Sequence, residues 1–309
     1  MRVCHGRKHT KLASVGRAAQ AWGTMGDMDE GHQPSPTDLL DICVTVAGDA
    51  AALVANRRSE LVSAGRRIPA ETKSSAVDPV TDVDRAAEAF IVAKLRQLRP
   101  HDGLLGEEGT QRAGTSGVEW IIDPIDGTVN FLYGLPSYAV SLAAAVGGRV
   151  VVGCVNNVAT GESYRAVTGL GSYVEREGRS GRLRAAETED VAHALVATGF
   201  SYSARWRAAQ AELLARVLPE VRDIRRMGSA ALDLCAVAEG RVDAYYEHGT
   251  HPWDWAAGAL IATEAGAAVR HPGVRSQGSD GDLVVAAAPG ISESFYSLLD
   301  AAGARSALA

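Results

Sequence analysis

Cysteine is scarce in this chain: four residues in 309, at Cys4, Cys43, Cys154 and Cys235, with no CxxC pair among them. That scatter excludes the dense spacing that staples small secreted domains, and it predicts reduced thiols in a cytoplasm. Long apolar runs are missing too. No stretch approaches the roughly 18 residues a membrane span requires, and the N-terminus has no apolar core of a secretory signal. Net positive charge is absent: 31 Lys and Arg against 37 Asp and Glu leave −6 at pH 7. A field of that sign repels anionic membrane and nucleic acid, so neither is an expected partner, and a phosphate site here needs metal ions or local donors. There is no internal repeat and, beyond residue 37, no Pro- or Gly-rich linker. What remains is 46% apolar and 22% charged composition, ordinary for a globular protein with a sizeable core.

Residues 1–36 stand apart. Arg2, Arg7, Lys8, Lys11 and Arg17 precede the first acidic residue, Asp27, and the segment closes on Gly31, Pro34, Ser35 and Pro36 without apolar periodicity. It reads as a disordered extension; the alternatives are a transit peptide or a nucleic-acid arm, and Met25 or Met28 are candidate starts. Residues 37–309 read as one domain in two intimate halves, about 37–190 and 191–309. Leu39, Ile42, Cys43, Val46, Ala50, Leu53 and Val54 share one helical face, predicting a helix capped by Thr37 that runs to about Gly65. A second helix is expected from Thr81 to about Leu98, stopped by Pro100. Short strands follow around Leu104 and Trp120, then a hairpin about Gly147 and Gly148. After a Gly- and Arg-rich segment at 169–184, strand and helix alternate. Strands are expected at 194–198, 221–227, 242–247 and 283–287, and helices at 204–218, 229–239, 253–265 and 292–302.

The segment WIIDPIDGTVNF, Trp120 to Phe131, concentrates the chemistry. An apolar strand runs into Asp123, Pro124 forbids a regular ladder beyond it, and Gly127 permits a sharp turn. Two carboxylates, Asp123 and Asp126, therefore sit on a stiff loop, just ahead of Gly127, Thr128 and Asn130, whose amides suit a phosphate. A turn needs only one Asx residue. Three further acids draw notice: Asp84, Glu107 in LLGEEG, and Asp254 in HPWDW. Each has a plainer reading. Asp84 lies three after Thr81, the spacing of a capping box; Asp254 opens a helix; Glu107 and Glu108 suit a solvated turn. If all five met, neighbours roughly 5 Å apart would each repel by about 3 kcal/mol at an effective dielectric near 20, so the cluster requires cations. Oxygen donors without a Cys or His set favour Mg²⁺ or Mn²⁺ over Zn²⁺. His248 and His251 form an HxxH pattern, which is common by chance.

At these residues the chain resembles the inositol monophosphatase family of Mg²⁺-dependent, lithium-sensitive phosphomonoesterases. The resemblance covers about Thr37 to Ala302. WIIDPIDGTVNF is similar to the family's first signature, GEEG at 106–109 to its glutamate loop, and HPWDWAAGALIATEAG at 251–266 to its second; KSSAVDPVTDVD at 73–84 looks like its flexible catalytic loop. It implies an α/β (α+β) fold: a layered αβαβα sandwich of the kind shared with fructose-1,6-bisphosphatases, with metals between its halves. By implication Glu107, Asp123 and the Ile125 carbonyl hold one ion, and Asp123 bridges to a second completed by Asp126 and Asp254. A third would lie near Glu107 and Asp84, giving two to three Mg²⁺ per site, with Mn²⁺ as the alternative. Glu107, Thr128 and Asp84 would be catalytic, Thr128 orienting the attacking water with Asp84 behind it, and the amides of Gly127 and Thr128 would take phosphate oxygens. Asp126, Asp254, Gly228, Ser229, Ala230 and Glu247 complete the implied substrate contacts. For Ser229 the plainer reading is a helix cap, and for Glu247 a strand-end charge.

No Cys, His or Ser sits in a nucleophile motif, so no phosphoenzyme is expected. Pro252 and Val129 depart from the family pattern without removing a ligand. The resemblance implies hydrolysis of an inositol phosphate, a small phosphate monoester, by a homodimer. Fructose 1,6-bisphosphate, histidinol phosphate and 3′-phosphoadenosine 5′-phosphate are alternative substrates. Arg205 with Trp206 is the one pair offering a nucleotide platform. A non-catalytic role beside a protein partner in transcription or RNA processing is the alternative of another class.

Overall fold

A computed structural model describes residues 34–65, 68–73, 79–304 and 307–308. The expectations for residues 1–33, Cys4 included, and for residues 74–78 of the 73–84 loop lie outside the described residues. Helix α1 (Pro36–Ser63) begins one residue before the expected start, because Ser35 and not Thr37 is its cap. The Asp38 amide donates to Ser35 Oγ at 3.2 Å and the Ser35 amide to Asp38 Oδ2 at 3.1 Å, while Pro36 fills the first turn, where no amide hydrogen is needed. A two-residue pair, β1 (Glu71–Thr72) with β2 (Pro79–Val80), leads into α2 (Asp82–Leu98), capped by Thr81.

The large sheet comprises β3 (Gly103–Gly106), β4 (Gln111–Arg112), β5 (Val118–Asp126), β6 (Ala139–Val146), β7 (Arg149–Asn157), β8 (Ser163–Val167), β9 (Gly171–Arg176) and β10 (Arg179–Arg182), with α3 (Thr128–Tyr133) between β5 and β6. Its order is β10-β9-β8-β7-β6-β5-β3-β4, antiparallel except for β3 beside β5. Beyond it come β11 (Leu195–Thr198), α4 (Ala204–Val217), β12 (Asp223–Arg225), α5 (Ala230–Ala238), β13 (Ala244–His248), α6 (Pro252–Glu264), β14 (Ala268–Arg270), β15 (Leu283–Ala287) and α7 (Ser292–Ala301). The second sheet is ordered β12-β11-β13-β15-β14 and is parallel only around β11.

Alternation along β5 shows how the layers form. Trp120 and Ile122 face a core filled by α1 and α2, while Ile121, between them, faces the opposite core with α5 and α6. That central core reaches the second sheet through Ala197, Tyr245 and Val284, and the far face of the sheet packs Val196, Tyr246 and Val285 against α4 and α7. The result is a five-layer αβαβα sandwich. Trp120 is fully buried and its indole donates to Asp102 at 2.9 Å, so the large apolar ring enters the core without an orphaned N–H.

Departures from the expected elements have local causes. The Gly- and Arg-rich segment, given no strand, forms β9 and β10; every β10 residue is exposed, so no apolar alternation marks it. The three-residue edge strand β14 and the two-residue β4 are too short to show a period. Cys43, Cys154 and Cys235 are buried and free, consistent with reduced thiols. Among the described residues no helix is long and apolar enough to cross a membrane.

Candidate active site

The expected break at Pro124 takes the form of a bulge. Pairing with β6 passes from Asp123 opposite Ser141 to Asp126 opposite Ala139, an extra residue on the β5 side. Asp123 Oδ1 accepts the Ile125 amide at 3.0 Å, closing a tight Asx turn around the proline. Gly127 follows at φ +95°, and a Cβ there would lie 2.8 Å from the Ser137 carbonyl oxygen, so only glycine fits both the conformation and the space. Asn130 then donates from Nδ2 to the Ser137 and Met227 carbonyls, each at 2.7 Å, tying α3 to both sides of the sandwich.

Glu107, Asp123, Asp126 and Asp254 line one cavity with Ile125, Gly127 and Thr128; Gly228, Ser229, Ala230 and Glu247 belong to the same lining. Asp84 lies directly behind Thr128. The Thr128 hydroxyl is 3.0 Å from Asp84 Oδ1 and 3.1 Å from the Ile125 carbonyl oxygen. Asp84 Oδ2 meanwhile accepts the Thr81 amide at 3.0 Å and the Thr81 hydroxyl, so one side chain both caps α2 and reaches the cavity's threonine. Asp254 is likewise dual: Oδ2 accepts the His251 amide at 2.6 Å across the start of α6 while the side chain lines the cavity. Ser229 caps α5 through the Leu232 amide at 3.3 Å and donates to Asp126 Oδ2 at 2.6 Å, and the Ala231 amide reaches that same oxygen at 2.7 Å.

This crowding shows in the acidities. Burial, then the charges of Glu107, Asp126 and Asp254, push Asp123 well above the usual carboxylate range. Burial and the charges of Asp126 and Glu107 do the same to Asp254. Burial raises Glu107 to about 7 against the opposing pull of Lys73, and raises Asp126 to about 6 against its bonds from Ser229 and Ala231. Asp84 is raised by burial, with Thr81 and Thr128 pulling the other way. Glu107 and Asp123 each feel the other's charge in this buried setting. Lys73 brings a positive charge, its Nζ 2.8 Å from Glu107 Oε1 and 2.5 Å from Glu108 Oε1. Burial works against the ammonium, yet the two glutamates outweigh it and raise its pKa. Among the described residues no three His, Cys, Asp or Glu side chains surround one point closely enough to bind an ion.

Several participants were not singled out from the sequence. Glu88 accepts the Glu108 amide at 2.8 Å and the Thr110 amide at 3.0 Å, shaping the glutamate loop from beneath. Its signal was available, since Glu88 stands four residues after Asp84 on the same helical side as Ala87, Ile91 and Leu95. Lys73, Gly199, Phe200, Tyr202, Arg226 and Tyr245 reach the site only through long-range packing. Phe200 and Tyr202 line the cavity, whereas Arg205 and Trp206 do not; Trp206 packs against Gly249. The two histidines do not converge: His248 Nε2 meets the Ala304 carbonyl at 2.7 Å, while His251 stacks on Trp253 with ring centroids 4.5 Å apart.

Layered sheets with acidic loops at one cavity make this a sugar-phosphatase-type fold. Comparison with known proteins agrees. A family model described as the inositol monophosphatase family matches residues 36–303. The chain is 50% identical over 273 residues to the inositol-1-monophosphatase SuhB of Mycobacterium tuberculosis, spanning 85% of this chain and 94% of that protein. It is 39% identical over 255 residues to the Nus factor SuhB of Pasteurella multocida, spanning 81% and 91%. The solved structure of Mycobacterium tuberculosis SuhB superposes with a TM-score of 0.75 at 48% identity, covering 87% of this chain and 98% of that one. The chain belongs to the inositol monophosphatase family, whose members are metal-dependent phosphatases.

Proposed function

We propose that this protein hydrolyses myo-inositol monophosphates to inositol and inorganic phosphate with Mg²⁺ as its working ion. One observation carries the reading: five carboxylates, Glu107, Asp123, Asp126, Glu247 and Asp254, line the cavity that also holds Thr128, with Asp84 bonded behind it. The donor set fits a hard divalent cation, because it is all oxygen and already draws one cation, the Lys73 ammonium, to Glu107. Glu107, Asp123, Asp126, Asp254 and the Ile125 carbonyl would hold two ions, with Asp84 and Glu107 near a third; Mn²⁺ suits the same donors. Bound there, the ions supply activation of water, neutralisation of phosphate charge and stabilisation of the leaving alkoxide.

The side chains account for the rest. Asp84 Oδ1 takes the Thr128 proton in a hydrogen bond, which leaves a lone pair on Thr128 Oγ1 to accept a proton of the attacking water and aim its oxygen at phosphorus. Glu107 accepts the second proton of that water. The Gly127 and Thr128 amides receive phosphate oxygens as charge builds on them. Gly228, Ser229 and Ala230 at the start of α5, with Asp126, Asp254 and Glu247, meet the ring hydroxyls. Attack is direct: the hydroxyl of the cavity's serine, Ser229, is engaged in a hydrogen bond to Asp126 and caps α5, and no Cys, His or Ser sits in a nucleophile motif. The family resemblance adds homodimerisation and a cytoplasmic location to this reading.

A panel of phosphate esters with Mg²⁺, with and without lithium, tests it. Inositol monophosphates should be turned over fastest, ahead of fructose 1,6-bisphosphate, histidinol phosphate and 3′-phosphoadenosine 5′-phosphate, and lithium should inhibit. Silence on every ester overturns the reading. It would favour a protein-partner role instead, which the name Nus factor on one relative supports.

A further inference from the structure

We propose that Tyr245 and Gly199 position the Glu247 carboxylate for the leaving alcohol, making them specificity-determining residues of the cavity. The inference rests on the hydrolase reading above and deepens it. Tyr245 and Glu247 are alternate residues of β13 and share one face of the second sheet. The Tyr245 ring is fully buried in the central core, and its hydroxyl donates to Glu247 Oε2 at 2.9 Å. A phenol locked in a core has no freedom to follow a moving partner, so it fixes where that oxygen sits. Gly199 holds the other side. It follows β11, the parallel neighbour of β13, and Thr198 before it donates from Oγ1 to the Tyr246 carbonyl at 2.8 Å, locking the strands in register. A Cβ on Gly199 would lie 2.0 Å from Glu247 Oε2, 2.2 Å from Cδ and 2.3 Å from Oε1. The carboxyl group therefore rests flat on bare backbone, and any side chain at 199 must displace it.

Glu247 lines the cavity beside Arg226, Gly199 and Thr250. Burial pushes its pKa up to about 7, opposed by the Tyr245 bond and Arg226 and reinforced by Asp126. At pH 8 it is mostly ionised and can only accept hydrogen bonds. An acceptor held at one point selects alcohols that place a hydroxyl there. It offers little to an ester that lacks one, because an unused carboxylate gives no transition-state contact.

Steady-state kinetics of the full chain with Mg²⁺ at pH 8 decide the matter, comparing myo-inositol 1-phosphate with 4-nitrophenyl phosphate, which has no ring hydroxyl. Tyr245→Phe keeps the ring and removes only the donor. It should lower kcat/KM for the inositol ester relative to the aryl ester by about tenfold, chiefly through KM. Gly199→Ala should reproduce that selective loss, and in a Glu247→Gln background Tyr245→Phe should cost nothing further. Equal losses on both esters, no loss on either, or a full additive loss on top of Glu247→Gln overturns the proposal while leaving the hydrolase reading intact. A wild-type protein inactive on both esters overturns the two together.

Discussion

Asp84 serves two masters: Oδ2 closes the cap of α2 on the Thr81 amide at 3.0 Å, while Oδ1 holds the Thr128 hydroxyl, also at 3.0 Å. The helix start and the proposed water-orienting threonine are therefore one rigid unit, and neither half can shift without the other.

That coupling separates two substitutions. Thr128→Ala should lower kcat by about 10²–10⁴-fold, the range of a positioned proton acceptor, while thermal unfolding changes little. Asp84→Ala should lose comparable activity and, in addition, about 1 kcal/mol of stability from the broken cap. Parallel kinetics and urea denaturation of the two variants check this; equal stability in both would contradict the shared role.

Glu88 is buried, 3% exposed, and does not line the cavity, yet it carries two amides of the 107–110 turn. Glu88→Ala should weaken Mg²⁺ binding by about 10–100-fold, as outer supports of metal ligands do, with the cavity carboxylates unchanged. Calorimetric titration of the metal-free protein measures it directly.

Acidity sets a pH dependence of opposite sign to ordinary acid denaturation. Glu247 has its folded pKa raised from 4.5 to about 7. The folded state thus binds its proton more tightly than the unfolded chain does. This contribution is fully present below about pH 4.5 and is lost as pH rises through 7. Metal-free protein should lose on the order of 2–3 kcal/mol between pH 5 and 8 from this group, and Glu247→Gln should flatten that part of the profile. Chemical denaturation across the pH range reads both curves.

Lys73 bridges Glu107 and Glu108 at 2.8 and 2.5 Å. Lys73→Met should lower the melting temperature of metal-free protein and enlarge the stabilisation produced by added Mg²⁺, since the ion then relieves charge that the ammonium no longer offsets. Differential scanning calorimetry with and without Mg²⁺ tests it.

How much of this was legible in the sequence differs from residue to residue. The β5 loop could be read because its signals are local: an apolar strand, a proline that breaks the ladder and a glycine that needs positive φ. The layered fold followed from the family resemblance, and helix spacing placed α1, α2, α5 and α6 within a few residues. Asp84, Asp254 and Ser229 each offered two readings, cap or site, and the structure shows the caps together with contacts to the cavity residues, because the two oxygens of a carboxylate, or the donor and acceptor of a hydroxyl, act separately. Tyr245, Gly199 and Lys73 could not be read that way. Their meaning comes from partners on other elements, and nothing in DAYYEHG says which tyrosine meets the glutamate.

Release of inorganic phosphate from myo-inositol 1-phosphate under saturating Mg²⁺, by the wild type and by Asp126→Asn, tests the central claim most directly. Asp126 is buried and held near pKa 6 by burial against its hydrogen bonds from Ser229 and Ala231. The account predicts rapid release by the wild type and none by Asp126→Asn, whose metal-free form is as stable at pH 8 as the wild type or more so, because a clustered charge is gone. Undiminished turnover by Asp126→Asn, or a wild type that releases no phosphate, would contradict it.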